Sequence, residues 1–157
     1  EARAVFSPKL QLQAGFTLQK SRYKEAEQWS ENENVPAEKK MFRTPDAYGY
    51  FTIKCNPVKP LSLSLTGTYS GEMLVQHMEG SGTDIDVAVK TPQFCDVNFK
   101  ASYDFNLKGA ILQLNATLLN IFDSYQSDFD KGGSRDSGYI YGPMMPRSIM
   151  AGVKVTI

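Results

Sequence analysis

Six stretches of this chain alternate apolar and polar residues with a period of two, which is the mark of a strand with one greasy and one wet face. In residues 7–23, Leu10, Leu12, Ala14, Phe16 and Leu18 hold one parity; Gln11, Gln13, Gly15, Thr17 and Gln19 hold the other. "AYGYFTIKC" sets Gly49, Phe51, Ile53 and Cys55 against Tyr48, Tyr50, Thr52 and Lys54. "LSLSLTGTYS", residues 61–70, is nearly pure Leu/Ser alternation. "CDVNFKASYDF", "LQLNATL" and "RSIMAGVKVTI" repeat the pattern. With a short strand over residues 1–6, the chain reads as an all-β, antiparallel up-and-down meander of about seven strands. No segment carries a helical period.

The connections alternate too. The links near Pro8, at "NPVKP" and at "NLKG" are tight; residues 22–45, 72–92 and 123–146 are long and polar. Connections in compact soluble domains have a median of about 4–6 residues. Short turns at one end and long loops at the other are the habit of outer-membrane barrels. A soluble lipocalin-like barrel also alternates and stands as the alternative, with a porin-like structural barrel as a third class. Charge is absent from the apolar parities of residues 61–75 and 95–105.

The 157 residues suit one domain, and a net charge of zero gives nothing to attract nucleic acid. No apolar run approaches the roughly 20 residues of a spanning helix. An odd strand count and the absence of a starting Met suggest a piece of something longer. Cys55 and Cys95 fall at opposite ends of two strands running the same way, so they are expected to stay unpaired. Tyr69, Phe94, Tyr103, Phe105 and Phe122, near strand ends, are expected in an aromatic girdle.

The last forty residues carry a resemblance. Leu118, Asn120, Ile121, Phe122 and Asp123, then Tyr139, Gly142 and Arg147 before a closing strand, resemble the carboxyl end of TonB-dependent outer-membrane receptors. "MFRTPDAYGYFTI" looks like another strand of that family. The chain departs from the pattern at Ile157, where an aromatic is usual, and at Met144 and Met145, where smaller residues are common. The resemblance implies that residues 1–157 are the C-terminal portion of a 22-stranded transmembrane β-barrel, without plug or earlier strands. The parent would sit in the outer membrane of a Gram-negative bacterium, among its lipid. It would import a metal chelate, cobalamin or similar scarce nutrient, driven by TonB contacting its N-terminal region. It would be no enzyme and need no cofactor. The long loops would be extracellular.

Ligand-binding candidates follow from side-chain type in those loops. Residues 22–45 carry Arg22, Tyr23, Trp29 and Arg43, a mix that suits an anionic or aromatic chelate. Tyr139, Tyr141, Met144 and Met145 form a second group near the mouth. His77, the only histidine, could ligate a metal chelate, though a solvated histidine is the plainer reading. Phe42-Arg43-Thr44-Pro45 is near a motif of haem receptors but reads better as loop punctuation. "DFDKGGSRDSG", residues 128–138, fails the calcium-loop pattern at Gly132 and reads as a hydrated loop. The sequon at Asn115 lies mid-strand.

Overall fold

The computed structural model describes residues 1–80, 82–133 and 135–157. Among them there is no helix, and eleven strands form three sheets. The main sheet holds β1 (Ala2–Ser7), β2 (Leu10–Leu18), β5 (Ala47–Val58), β6 (Leu61–Ser70), β9 (Phe94–Leu107), β10 (Ala110–Leu119) and β11 (Ser148–Thr156). They pair in that order, every pair antiparallel, so the sheet is the expected seven-strand meander.

The long connections carry structure that the alternation does not announce. Residues 19–46 contain β3 (Arg22–Glu27) paired with β4 (Glu38–Lys40), and residues 71–93 contain β7 (Leu74–His77) paired with β8 (Val87–Lys90). Residues 120–147 have no regular element among the described positions. All three long connections leave from one end of the sheet. The tight turns leave from the other, the last helped by Gly109 at φ 85°.

The register joins the apolar parities into one face. Ala4, Leu12, Ile53, Leu65, Phe99, Leu118 and Ile149 are successive cross-strand partners, a row of seven apolar side chains. Across the paired strands this face bears no charged side chain. The opposite face carries Gln11, Lys54, Ser64, Lys100 and Thr117 in one matching row. The row of seven runs obliquely. Leu12, Ile53 and Phe99 stand 4, 6 and 9–10 residues from the middles of their own tight turns.

Neither face of the sheet is covered along most of its length. Phe16, Val153 and Val155 are 61%, 68% and 59% exposed. The buried apolar residues Val35, Leu74, Val75 and Tyr139 lie in the long connections, and Phe94 and Val97 at the loop end of β9. Phe94 corrects an expectation. It pairs with Ser70, so it belongs to the polar face, where it is 4% exposed and packs over Gly142. It is no girdle residue. Tyr69 does lie on the apolar face and stacks on Phe16, with centroids 6.3 Å apart. Cys55 and Cys95 share that face, but their partners Leu63 and Tyr69 lie six residues apart along β6. At about 3.3 Å per residue, that offset exceeds the reach of a disulfide.

Candidate functional site

The three long connections meet. Arg43, in left-handed backbone at φ 55°, donates its amide to Leu74 O at 2.7 Å. Its guanidinium donates to Ile140 O at 3.0 Å and to Gly138 O. One residue of the first connection thus bonds the second and the third. Ser30 Oγ donates to Asp86 Oδ2 at 2.6 Å, and Glu79 N donates to the same carboxylate at 2.7 Å. These bonds hold the Asp86 carboxyl below its ordinary value.

At the centre stands His77. Its Nε2 lies 2.8 Å from Asp130 Oδ1, and both side chains are nearly closed to solvent, at 12% and 8% exposure. Its ring stacks on Tyr139, 3.9 Å between centroids and 12° between planes. The solvated histidine expected from the sequence is therefore a packed one. Asp130 Oδ2 accepts Asp136 N at 3.0 Å, and Asp128 accepts the hydroxyls of both Tyr139 and Tyr141. Most described positions of residues 128–138 are exposed, as a hydrated loop requires, yet three of their carboxylates accept specific bonds, Asp136 taking Gly138 N at 2.7 Å. Burial first, then the Asp128 charge, pushes the Tyr139 phenol up to about 12. The Tyr141 phenol moves the same way for the same causes.

Gln126, fully buried, holds the returning chain. Its Nε2 donates to Tyr139 O at 2.9 Å, and its Oε1 accepts Tyr141 N and Gly142 N at 2.9 and 3.2 Å. The side-chain amide does what a strand partner would do. Asn120, 4% exposed at φ 47°, closes the base of the connection. Its Oδ1 accepts Ser124 N, its Nδ2 donates to Met145 O, and its own amide donates to Asn98 Oδ1, each at 2.9 Å. Asp123 Oδ1 accepts Arg147 N at 2.7 Å. The motif residues Asn120, Asp123, Gly142 and Arg147 therefore act as fasteners of the last connection. Phe122 is 64% exposed.

Of the ligand-binding candidates, Arg43, His77, Tyr139 and Tyr141 come together. Of these only Tyr139 reaches the wall of a cavity of about 380 Å³, which Met144, Phe129, Asp130, Arg135 and Asp136 also line. Met145 is exposed beside it. Arg22 and Tyr23 stand apart on β3. Trp29 packs edge-on against Phe42 at 5.2 Å and gives its Nε1–H to Pro36 O, which makes it part of the loop's own frame. Residue type did not single out Gln126, and Asp128 and Asp130 entered the sequence reading only as positions of a rejected calcium loop. The signal available was the pairing of Asp128 and Asp130 with Tyr139 and Tyr141, two i, i+2 pairs flanking a glycine turn. No group of three or more His, Cys, Asp or Glu side chains among the described residues is arranged to hold a metal ion.

No family model matches this chain, nor does any curated protein or solved structure.

Proposed function

We propose that this chain is a lipid-facing sector of an outer-membrane β-barrel receptor, the one that its last forty residues resemble. The observation that carries the reading is the uncharged apolar face of a one-layer sheet. A sheet needs its apolar face buried. Here the described residues leave most of that face open, and hydrocarbon would cover it.

Two further quantities support it. The oblique row climbs between five and six residues over the four inter-strand spacings from the middle of the β1–β2 hairpin to the middle of the β9–β10 hairpin; at about 3.3 Å of rise and 4.8 Å of spacing this is a strand tilt of about 40–45°. Barrel strands tilt by about 35–45°. The five inner strands run to 9, 12, 10, 14 and 10 residues, against the roughly 9–11 that a tilted strand needs to cross. In this orientation the loop cluster is extracellular and holds the nutrient site, while the polar face lines the lumen. The parent protein then takes up an iron chelate, cobalamin or a nutrient of that kind with energy passed through TonB.

Tryptophan substitutions test the membrane claim. L114W should be quenched by lipids brominated along their tails, and N115W should not. Equal quenching, or a stable monomer in plain buffer, would reject it. Uptake of labelled iron chelates and cobalamin by starved cells, with TonB present or deleted, tests the transport claim.

A further inference from the structure

The cavity of about 380 Å³ lies within the third long connection: every described residue that lines it falls between Phe129 and Met144. Two acids and one base share its wall, Asp130, Asp136 and Arg135. They do not all neutralise one another. The ion pairs among the described residues are Lys40–Asp46 and His77–Asp130, so Arg135 has none. Its guanidinium makes no hydrogen bond among those residues either. Opposite charges thus line one space without closing it.

The two acids differ in what they still offer. Asp130 is engaged through both oxygens, Oδ1 2.8 Å from His77 Nε2 and Oδ2 accepting Asp136 N. Asp136 takes Gly138 N on Oδ1 at 2.7 Å, and its Oδ2 accepts no donor among the described residues. The rest of the wall is mainly apolar. Tyr139 has given its hydroxyl to Asp128 and one ring face to His77. Phe129, Ile140 and Met144 stand beside it. Arg135, Ile140 and Met144 are exposed, so the space is open to solvent. Its size falls among small-ligand pockets, about 300–1,000 Å³, which are likewise apolar with a few placed polar groups.

We propose that this cavity binds an apolar α-amino acid as its zwitterion, the carboxylate on Arg135, the ammonium on Asp136 Oδ2 and the side chain against Phe129, Ile140 and Met144. A plain anion would face two carboxylates and leave Asp136 without a donor. A plain cation would meet the guanidinium and leave it unpaired. A ligand that carries both charges satisfies both groups, and a guanidinium holds a carboxylate with two parallel bonds. The inference goes beyond the receptor reading above: that reading bears on the ligand's fate as a nutrient, and the binding does not depend on it.

The full chain, folded in detergent, is titrated calorimetrically with three probes that share one aryl body: L-phenylalanine, 3-phenylpropanoate, which lacks the ammonium, and 2-phenylethylamine, which lacks the carboxylate. L-phenylalanine should bind about ten-fold or more tighter than either, since a hydrogen bond to a charged group contributes at least that factor. R135Q should lose the preference over 2-phenylethylamine and keep the preference over 3-phenylpropanoate. D136N, which retains an acceptor for Gly138 N, should do the reverse. R22Q, outside the cavity, should bind as the wild type does. Equal binding of L-phenylalanine and either singly charged probe by the wild type, no binding of any probe, or preferences unchanged in both cavity variants overturns the proposal. The wild-type comparison decides by itself if a variant fails to fold. Preferential binding of L-phenylalanine by a chain whose L114W and N115W forms are quenched equally would support the site and reject the membrane reading alone.

Discussion

Phe51 lies across Gly67, its direct partner on the next strand: a Cβ at Gly67 would sit 2.6 Å from Cζ of the ring and closer still to Cε1. Phe16 covers its partner Gly49 in the same way, and Tyr50 covers Gly15 on the polar face. The glycine in each pair is needed for close approach. Gly67→Ala should push the Phe51 ring off its seat and cost about 1–2 kcal/mol. In a Phe51→Leu background the same change should be nearly neutral, a coupling of at least about 0.5 kcal/mol. Denaturant titration of the four proteins in detergent measures it, and strict additivity would show that the ring does not use the glycine.

The two faces should respond oppositely to charge. Leu114 sits between Tyr103 and Val153 on the apolar face, and Asn115 between Ser102 and Gly152 on the other. Leu114→Arg should cost roughly 2–4 kcal/mol in a bilayer, as a cation does at a lipid-facing midplane site. Asn115→Arg should cost far less. Folding into lipid vesicles against urea reads both. Equal sensitivity would reject the face assignment.

Asn120 should be the residue whose loss frees the last connection. Asn120→Ala removes the acceptor of Ser124 N and the donor to Met145 O, and it puts a residue without a local hydrogen bond at φ 47°. Two lost buried bonds and that backbone are worth about 2–4 kcal/mol. Asn120→Asp keeps the acceptor and should recover part of the loss. Hydrogen exchange at the Ser124 amide should quicken in Asn120→Ala and stay slow in Asn120→Asp. Unchanged exchange in both would remove Asn120 from this role.

The buried phenols give a pH signature. Tyr139 is raised from an ordinary value near 10 to about 12, so the fold favours its neutral form. The stability this supplies is fully present below pH 10 and is lost as pH rises toward 12. Tyr139 and Tyr141 should therefore ionise late in an ultraviolet titration, above the ordinary phenol value. Asp128→Asn removes the negative charge that both hydroxyls face, and it should bring this pair down toward that value. A titration in which Asp128→Asn leaves the late step unchanged, or in which the wild type has no late step, would contradict the packing of the loop cluster.

The sheet was legible because its signal is local: each strand states its own parity, and the tight turns fix the register between parities. Phe94 was legible as well. Its even number sets it opposite Cys95 and Val97, and its position near a strand end misdirected the reading. The small hairpins were not legible. "RYKEAE" and "EKK" are charged segments with little strand propensity, held by backbone pairing within a long connection. The loop cluster was legible only in its parts. Arg43, His77 and Tyr139 each stood out by type, but their meeting depends on the relative placement of three aperiodic connections. No spacing in the sequence encodes that placement.

Removal of residues 24–39 tests how far the cluster depends on its first member. The segment contributes Val35, 3% exposed, and Ser30, whose hydroxyl binds Asp86 beside β8. It does not contain Arg43, which bonds the other two connections. The deletion should leave the seven-strand ladder intact, since β2 and β5 pair through residues 10–18 and 47–55 without it. It should uncover the β7–β8 hairpin, so that limited proteolysis now cuts near Asp86. If the chain serves the proposed receptor, its nutrient binding should weaken without being abolished, because His77, Tyr139 and the 380 Å³ cavity survive. Loss of the folded sheet after deletion would mean that the first connection belongs to its frame. Full affinity after deletion would exclude it from the binding site.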